Sequence, residues 1–242
     1  MQSISATLRI SFAACAIGAS LALAGPVNAA LLGPTPYLQQ SDSPFFPFTT
    51  PSPWTYFYLE DFEDHALNTP GVTSTTAGSG VTSVIFGPSI HDSVDADDGA
   101  IDGSGLAGDS FFCQCGVASF SFSAGALGAL PNAVGIVWTD GGNPITFEAF
   151  DQNGVSLGTV AGNNADGSVN GETAEDRFFG ATNSGGISSI RISNPGAGIE
   201  VDHLQYGLRG DLPPPPPGLP EPATLALTAM GLAGLGWLRR RR

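Results

Sequence analysis

Two groups of carboxylates hold most of the chemistry available to this 242-residue chain. Glu60, Asp61, Glu63 and Asp64 crowd into five positions near the start, and Asp202 stands inside an apolar run near the end. The second group lies between His91 and Gly103, where Asp95 and Asp97 alternate ahead of Gly99. Calcium takes six to eight oxygens from carboxylates, backbone carbonyls and water, and both patterns supply them. The second departs from an EF-hand, having no acid at the third alternate position and no closing Glu. A solvated acidic rim is the competing reading of each group. Paired carboxylates across a cleft are also what a glycosidase needs, so a secreted hydrolase or lyase acting on polysaccharide stays open as the alternative. No nucleophile elbow, His-Glu-x-x-His or phosphate-cradling loop is present, and no residue is assigned a catalytic role.

Charge narrows the partners. The chain has no Lys, and between Ala30 and Leu212 three Arg (Arg177, Arg191, Arg209) face 21 Asp and Glu, a balance of −18. Such a field repels phosphate backbones and argues against nucleic acid. It favours a cation. Cys113 and Cys115 can close a small disulfide ring in an oxidising compartment or remain inert thiols, and two thiolates do not complete a zinc shell. His65, His91 and His203 have no metal-motif spacing and read most simply as surface or turn residues. Trp54, Tyr56, Trp138 and Tyr206 can stack on sugars if exposed, but aromatics in strands belong more often to a core.

The elements that must position these groups are strands. Runs at Thr55–Phe62, Val81–Phe86, Val117–Phe122, Ala133–Trp138, Ile145–Phe150, Ser156–Val160, Phe178–Ala181, Ile187–Ile192 and Ile199–Tyr206 are separated by Gly, Asn and Asp. In Ser119-Phe120-Ser121-Phe122 the rings fall on one face and the hydroxyls on the other. Asp151-Gln152-Asn153-Gly154 predicts a hairpin turn with Asn-Gly at positive φ. No stretch between Trp54 and Leu212 carries a helical period. The expectation is an all-β fold, an antiparallel β-sandwich of jelly-roll type over 54–212, preceded by an irregular Pro- and Phe-rich lead-in over 30–53. In that fold first and last strands are often neighbours, which would bring the first acidic group to Asp202.

Both ends of the chain carry transport signals. Residues 1–29 read as a signal peptide: Arg9, an uncharged run from Ile10 to Ala24, a Gly25-Pro26 break, and small residues at Val27-Asn28-Ala29, with cleavage expected after Ala29 by signal peptidase. At the other end Pro213–Pro217 opens a proline-rich linker over 213–219, stiff and extended over roughly 15 Å. Pro220-Glu221-Pro222 follows, then an uncharged segment over 223–238 predicted as a transmembrane helix, then Arg239, Arg240, Arg241 and Arg242. A 16-residue helix spans about 24 Å, and snorkelling Arg can make up the remainder of a bilayer core.

That order resembles the PEP-CTERM sorting signal over the last 23 residues, from Pro220 to Arg242. The resemblance implies export from a Gram-negative bacterium, an inner-membrane intermediate, and an exosortase that recognises the motif and cleaves near it. It also implies delivery to the cell surface or an exopolysaccharide matrix, with extracellular polysaccharide as a partner. Tyr58–Asp64 and Ile199–Gly207 resemble the first and last strands of jelly-roll domains in such cargo and, more loosely, of carbohydrate-binding modules. In those modules a structural calcium sits between these strands, which points to Glu63 and Asp202. The expected function is therefore a non-catalytic surface or matrix protein that binds glycan or calcium. A purely structural matrix component without a ligand is the third reading.

Overall fold

The computed structural model describes residues 29–78, 84–86, 93–94, 108–140, 143–162, 176–196 and 198–210. The leader up to Asn28, the sorting motif, Arg239–Arg242 and the pair Asp95 and Asp97 lie outside these residues. Among the described residues no helix is long and apolar enough to cross a membrane.

Strands rich in Phe, Ile, Val and Thr pair into two antiparallel sheets. They are β1 (Ala29–Pro36), β2 (Trp54–Glu60), β3 (Val72–Ala77), β4 (Ile85–Phe86), β5 (Phe111–Cys113), β6 (Val117–Phe122), β7 (Ala133–Asp140), β8 (Ile145–Asp151), β9 (Ser156–Gly162), β10 (Arg177–Asn183), β11 (Ile187–Ser193) and β12 (Ile199–Arg209). The seven-stranded sheet runs β1-β10-β7-β12-β5-β4, with β2 also paired to β12; the five-stranded sheet runs β3-β6-β11-β8-β9. A single-turn helix, α1 (Ala124–Leu127), is capped by the Ser123 side chain, which accepts from the Ala126 N–H.

Period-two patterning decides what faces inward. In β6, Ala118, Phe120 and Phe122 are buried while Ser121 faces solvent. They meet Ile190 and Ile192 of β11, Phe147 of β8, and Ile136 and Trp138 of β7 in the inter-sheet core. All of β7 is buried because both of its faces are covered. Val134, Ile136 and Trp138 join the inter-sheet core, whereas Ala133 and Val137 pack outward with Tyr37, Phe45, Trp54 and Phe178. The lead-in is therefore a third layer, laid on the outer face of the larger sheet. Gly135 and Gly180, opposite one another in the β7–β10 ladder, leave room for the Phe178 ring. A Cβ on Gly135 would stand 2.2 Å from that ring.

Three strands escape the sequence pattern. The expected irregular lead-in over 30–53 begins as strand β1, which pairs with β10 and carries Pro34 and Pro36, tolerable because it is an edge. The sandwich thus starts at Ala29 rather than at Trp54. β3, Val-Thr-Ser-Thr-Thr-Ala, has one large apolar residue and reads as a turn-rich segment; β5 is only three residues long. The Asp151–Gly154 turn does join β8 and β9, but only Gly154 adopts positive φ. The Asp151 carboxylate accepts the Asn153 and Val155 N–H groups at 2.8 Å each, which stabilises the turn in place of the Asn-Gly geometry.

Candidate functional site

β12 brings the two ends of the sequence together, as its antiparallel pairing with β2 sets Leu204 opposite Glu60. After Glu60 the chain turns sharply, with Phe62 and His65 both in the left-handed region (φ 59° and 63°). Phe62 is driven inward onto Phe86 and Phe111, and the acids are left around the rim.

These acids take different roles. Glu60 is buried and organises the turn: its carboxylate accepts the N–H groups of Phe62, Asn68 and Thr69 at 3.3, 2.9 and 2.9 Å. Asp61 and Asp64 accept N–H groups two residues on and are local turn formers. Glu63 reaches across to another part of the chain. Its Oε1 accepts the Asp109 N–H at 2.6 Å and lies 3.4 Å from the Ser93 hydroxyl. Asp202, fully buried on β12, meets the same hydroxyl at 3.2 Å through Oδ2, which also accepts the Val94 N–H at 3.0 Å. Its Oδ1 accepts the His203 N–H at 2.6 Å.

Glu63 and Asp202 therefore converge on Ser93. A hydroxyl has one proton to give, so only one of the two carboxylates receives it at a time. Gly108 closes the junction. A Cβ there would stand 2.3 Å from the Ser93 Oγ and 2.8 Å from the Glu63 Oε1.

More carboxylates surround this point. Asp109 pairs with the exposed His65 at 2.8 Å, and Glu200 accepts the Ser110 hydroxyl at 2.8 Å. Asp140 closes β7 opposite Glu200, and Asp176 precedes β10. Glu60, Asp109, Asp140, Asp176, Glu200 and Asp202 are all at most 5 % exposed, at one end of the sandwich. Among the described residues no three acidic, thiol or imidazole groups converge closely enough to hold a metal ion by themselves. An ion between Glu63 and Asp202 would take its remaining ligands from backbone carbonyls and water, a donor set calcium accepts.

His203 corrects the surface reading. It is buried on β12, with φ 43°, at a bulge where the register with β7 shifts between Asp202 and Gln205. The Tyr37 hydroxyl lies 3.0 Å from its Nδ1 and accepts from the Gln205 side-chain amide at 2.9 Å; the Ser43 hydroxyl donates to Gln205 Oε1 at 2.6 Å. This network fastens the lead-in to the sheet. The sequence holds a sign of the bulge: the apolar positions of β12 run 199 and 201, then 204 and 206, a change of phase at 203.

Trp54, Trp138 and Tyr206 are fully buried and unavailable to a sugar, whereas Tyr56 is half-buried. Burial holds the Tyr56 and Tyr206 phenols well above the ordinary phenol value, with Tyr206 and Tyr58 adding at Tyr56, and Glu60 and then Tyr58 adding at Tyr206. Both hydroxyls donate to carbonyls, Ala129 and Pro70, at 2.7 and 2.6 Å. Cys113 and Cys115 are joined as a disulfide where the chain passes from β5 in one sheet to β6 in the other.

No protein-family model and no curated protein matches the chain. Among solved structures it is similar to the enzymatically active domain of bacteriophage CBA120 tailspike protein 4, at 14% identity and a TM-score of 0.32. The likeness covers 62% of this chain and 20% of that one, so the chain spans about a fifth of that structure's length.

Proposed function

We propose that this chain is an exported, non-catalytic sandwich protein of a Gram-negative cell, carried to the surface or the exopolysaccharide matrix, and that calcium bridges Glu63 and Asp202. One observation carries the cation. Six carboxylates are buried at one end, in a region with three Arg and no Lys. Arg191 is paired with Glu148 on the other sheet, Arg209 lies over Trp54, and Arg177 donates to the Asp176 carbonyl. Carboxylates taken out of water are costly, and a divalent cation shared by two of them would offset part of that cost. Asp95 and Asp97, which follow Ser93 closely in sequence, are the acids we propose to extend the shell.

The sorting reading rests on Pro220-Glu221-Pro222 and Arg239–Arg242, with exosortase and signal peptidase as processing partners and extracellular polysaccharide as the surrounding phase. We also read the connectivity as a jelly roll. Taking β5 to β12 in order, one sheet runs β5-β12-β7-β10 and the other β6-β11-β8-β9; β1, β3 and β4 extend the edges, and β2 pairs with β12.

Thermal unfolding with calcium and then with EDTA tests the cation. An upward shift of several degrees with calcium, absent in Glu63→Gln and Asp202→Asn, is expected, since a ligand of the native state stabilises it. Identical curves would sink the calcium assignment. Replacing Glu221 or deleting Arg239–Arg242 should trap the protein in cells with the sorting machinery, and normal release of both variants would refute that part. Reproducible product formation from a polysaccharide, lost on changing one acid, would replace the non-catalytic reading with a hydrolase or lyase.

A further inference from the structure

We infer that a cleft at the opposite end of the sandwich binds one ring of a neutral polyhydroxylated ligand, a pyranose unit of a polysaccharide. The inference rests on the matrix reading above and gives it a site. The cleft has a volume of about 330 Å³ and lies where α1, the β8–β9 and β10–β11 turns and the last residues of β12 meet. That volume stands at the lower end of the range for small-ligand sites.

Its walls are of two kinds. Ala129, Leu130 and Leu208 present hydrocarbon; Gln152 presents an amide, and the side-chain-free Gly185 and Gly186 present bare peptide. Among the described residues no ionisable side chain lines it. A sugar ring has the same division, a C–H face and a hydroxyl edge. An anionic ligand would find no cation here and a chain of net charge −14 around it, and a cationic one would find no carboxylate in the walls.

The cleft is built before any ligand arrives. Asn132 clamps the end of β12, its amide donating to the Arg209 carbonyl and accepting the Arg209 N–H, both at 2.8 Å. Asn183 spans its own turn, donating to the Gly186 carbonyl at 2.8 Å and accepting the Gly185 N–H at 3.2 Å. The Tyr56 hydroxyl holds the Ala129 carbonyl at 2.7 Å. These bonds occupy the two Asn side chains and leave the exposed Gln152 amide, beside the bare peptide of Gly185 and Gly186, as the polar groups for a ligand. Rigid walls reduce the ordering cost of binding.

Saturation-transfer NMR on the full chain tests this with methyl glucopyranoside, galactopyranoside and mannopyranoside, and with methyl glucuronide as the anionic control. Transfer from at least one neutral glycoside is expected, and none from the glucuronide. Ala124→Trp, at an exposed wall position, should abolish transfer with an unchanged melting temperature, and Gln152→Ala should weaken binding roughly fivefold. No transfer from any neutral glycoside would overturn the site. So would equal transfer in Ala124→Trp, which would move sugar binding elsewhere, or binding of the glucuronide as tightly as the neutral sugars. Neither the calcium shift nor the sorting variants depend on this cleft, so its failure leaves them standing and their failure is read separately.

Discussion

The two ends of β12 lie in opposite chemical surroundings. Around Asp202 the sandwich closes over buried carboxylates that bind backbone N–H groups and hydroxyls; around Leu208 it closes over amides and hydrocarbon, with no ionisable group in the cleft wall among the described residues. At the first end a negatively charged oxygen is the acceptor, so the fold there depends on charge. At the second, Asn132 does the same work with a neutral amide that both donates and accepts. Hydrogen bonds to charged groups are the stronger class, and the penalty for removing one partner is correspondingly larger.

Truncating each anchor is the sharpest way to break the contrast. Asp202→Ala strands the Val94 and His203 N–H groups and should cost about 3 to 4 kcal/mol in urea unfolding, against about 2 kcal/mol for Asn132→Ala. Equal losses would mean that charge contributes nothing special at the first end. Gly108→Ala comes next. Its methyl group would collide with Ser93 and Glu63, so we expect a loss of about 2 kcal/mol together with the calcium response, both read from melting curves.

Alkali separates the ends by a different property. The Tyr56 and Tyr206 phenols titrate above the unfolded value of about 10, so the native state keeps protons that the unfolded chain releases. Stability should be level below pH 10 and fall as the pH rises beyond it. Tyr56→Phe should make that fall shallower and cost about 1 kcal/mol at pH 7 through the lost bond to Ala129. A slope unchanged by this variant would exclude Tyr56 as a source. The smallest effect belongs to the rim of the other sheet, where Arg191→Ala should cost no more than about 0.5 kcal/mol, because that ion pair with Glu148 is partly exposed and solvent-screened.

The strands with strong alternation were legible in the sequence because they depend on period two; the approach of the Glu60–Asp64 group to β12 was legible as well, although the strand that brings it there is β2 and not the first. Ser93 and Gly108 were not. One hydroxyl among many Ser, and one Gly among 33, have no local signature, and their role exists only once two distant loops cross. β1 was hidden by its prolines, and β3 by Thr and Ser in place of large apolar residues. His203 was misplaced because the lead-in that buries it was expected to be irregular: the bulge shifts the phase of β12, and the imidazole meets Tyr37 on the outer face of the larger sheet. The neutral cleft could not be foreseen, since its walls come from four separate segments whose residues are ordinary turn formers.

A polypeptide is made from its N-terminus, and here the strand with three partners is the last to appear. β12 pairs with β2, β5 and β7. Until residue 209 has emerged, the larger sheet lacks its middle, and β2 waits for a partner more than a hundred residues behind it. Closure is therefore a terminal event with long sequence separation, which makes for slow folding. Truncation before Ile199 would leave β1-β10-β7, β5-β4 and β2 as three separate pieces of the larger sheet, so proofreading of full-length synthesis is inherent in the order of the strands.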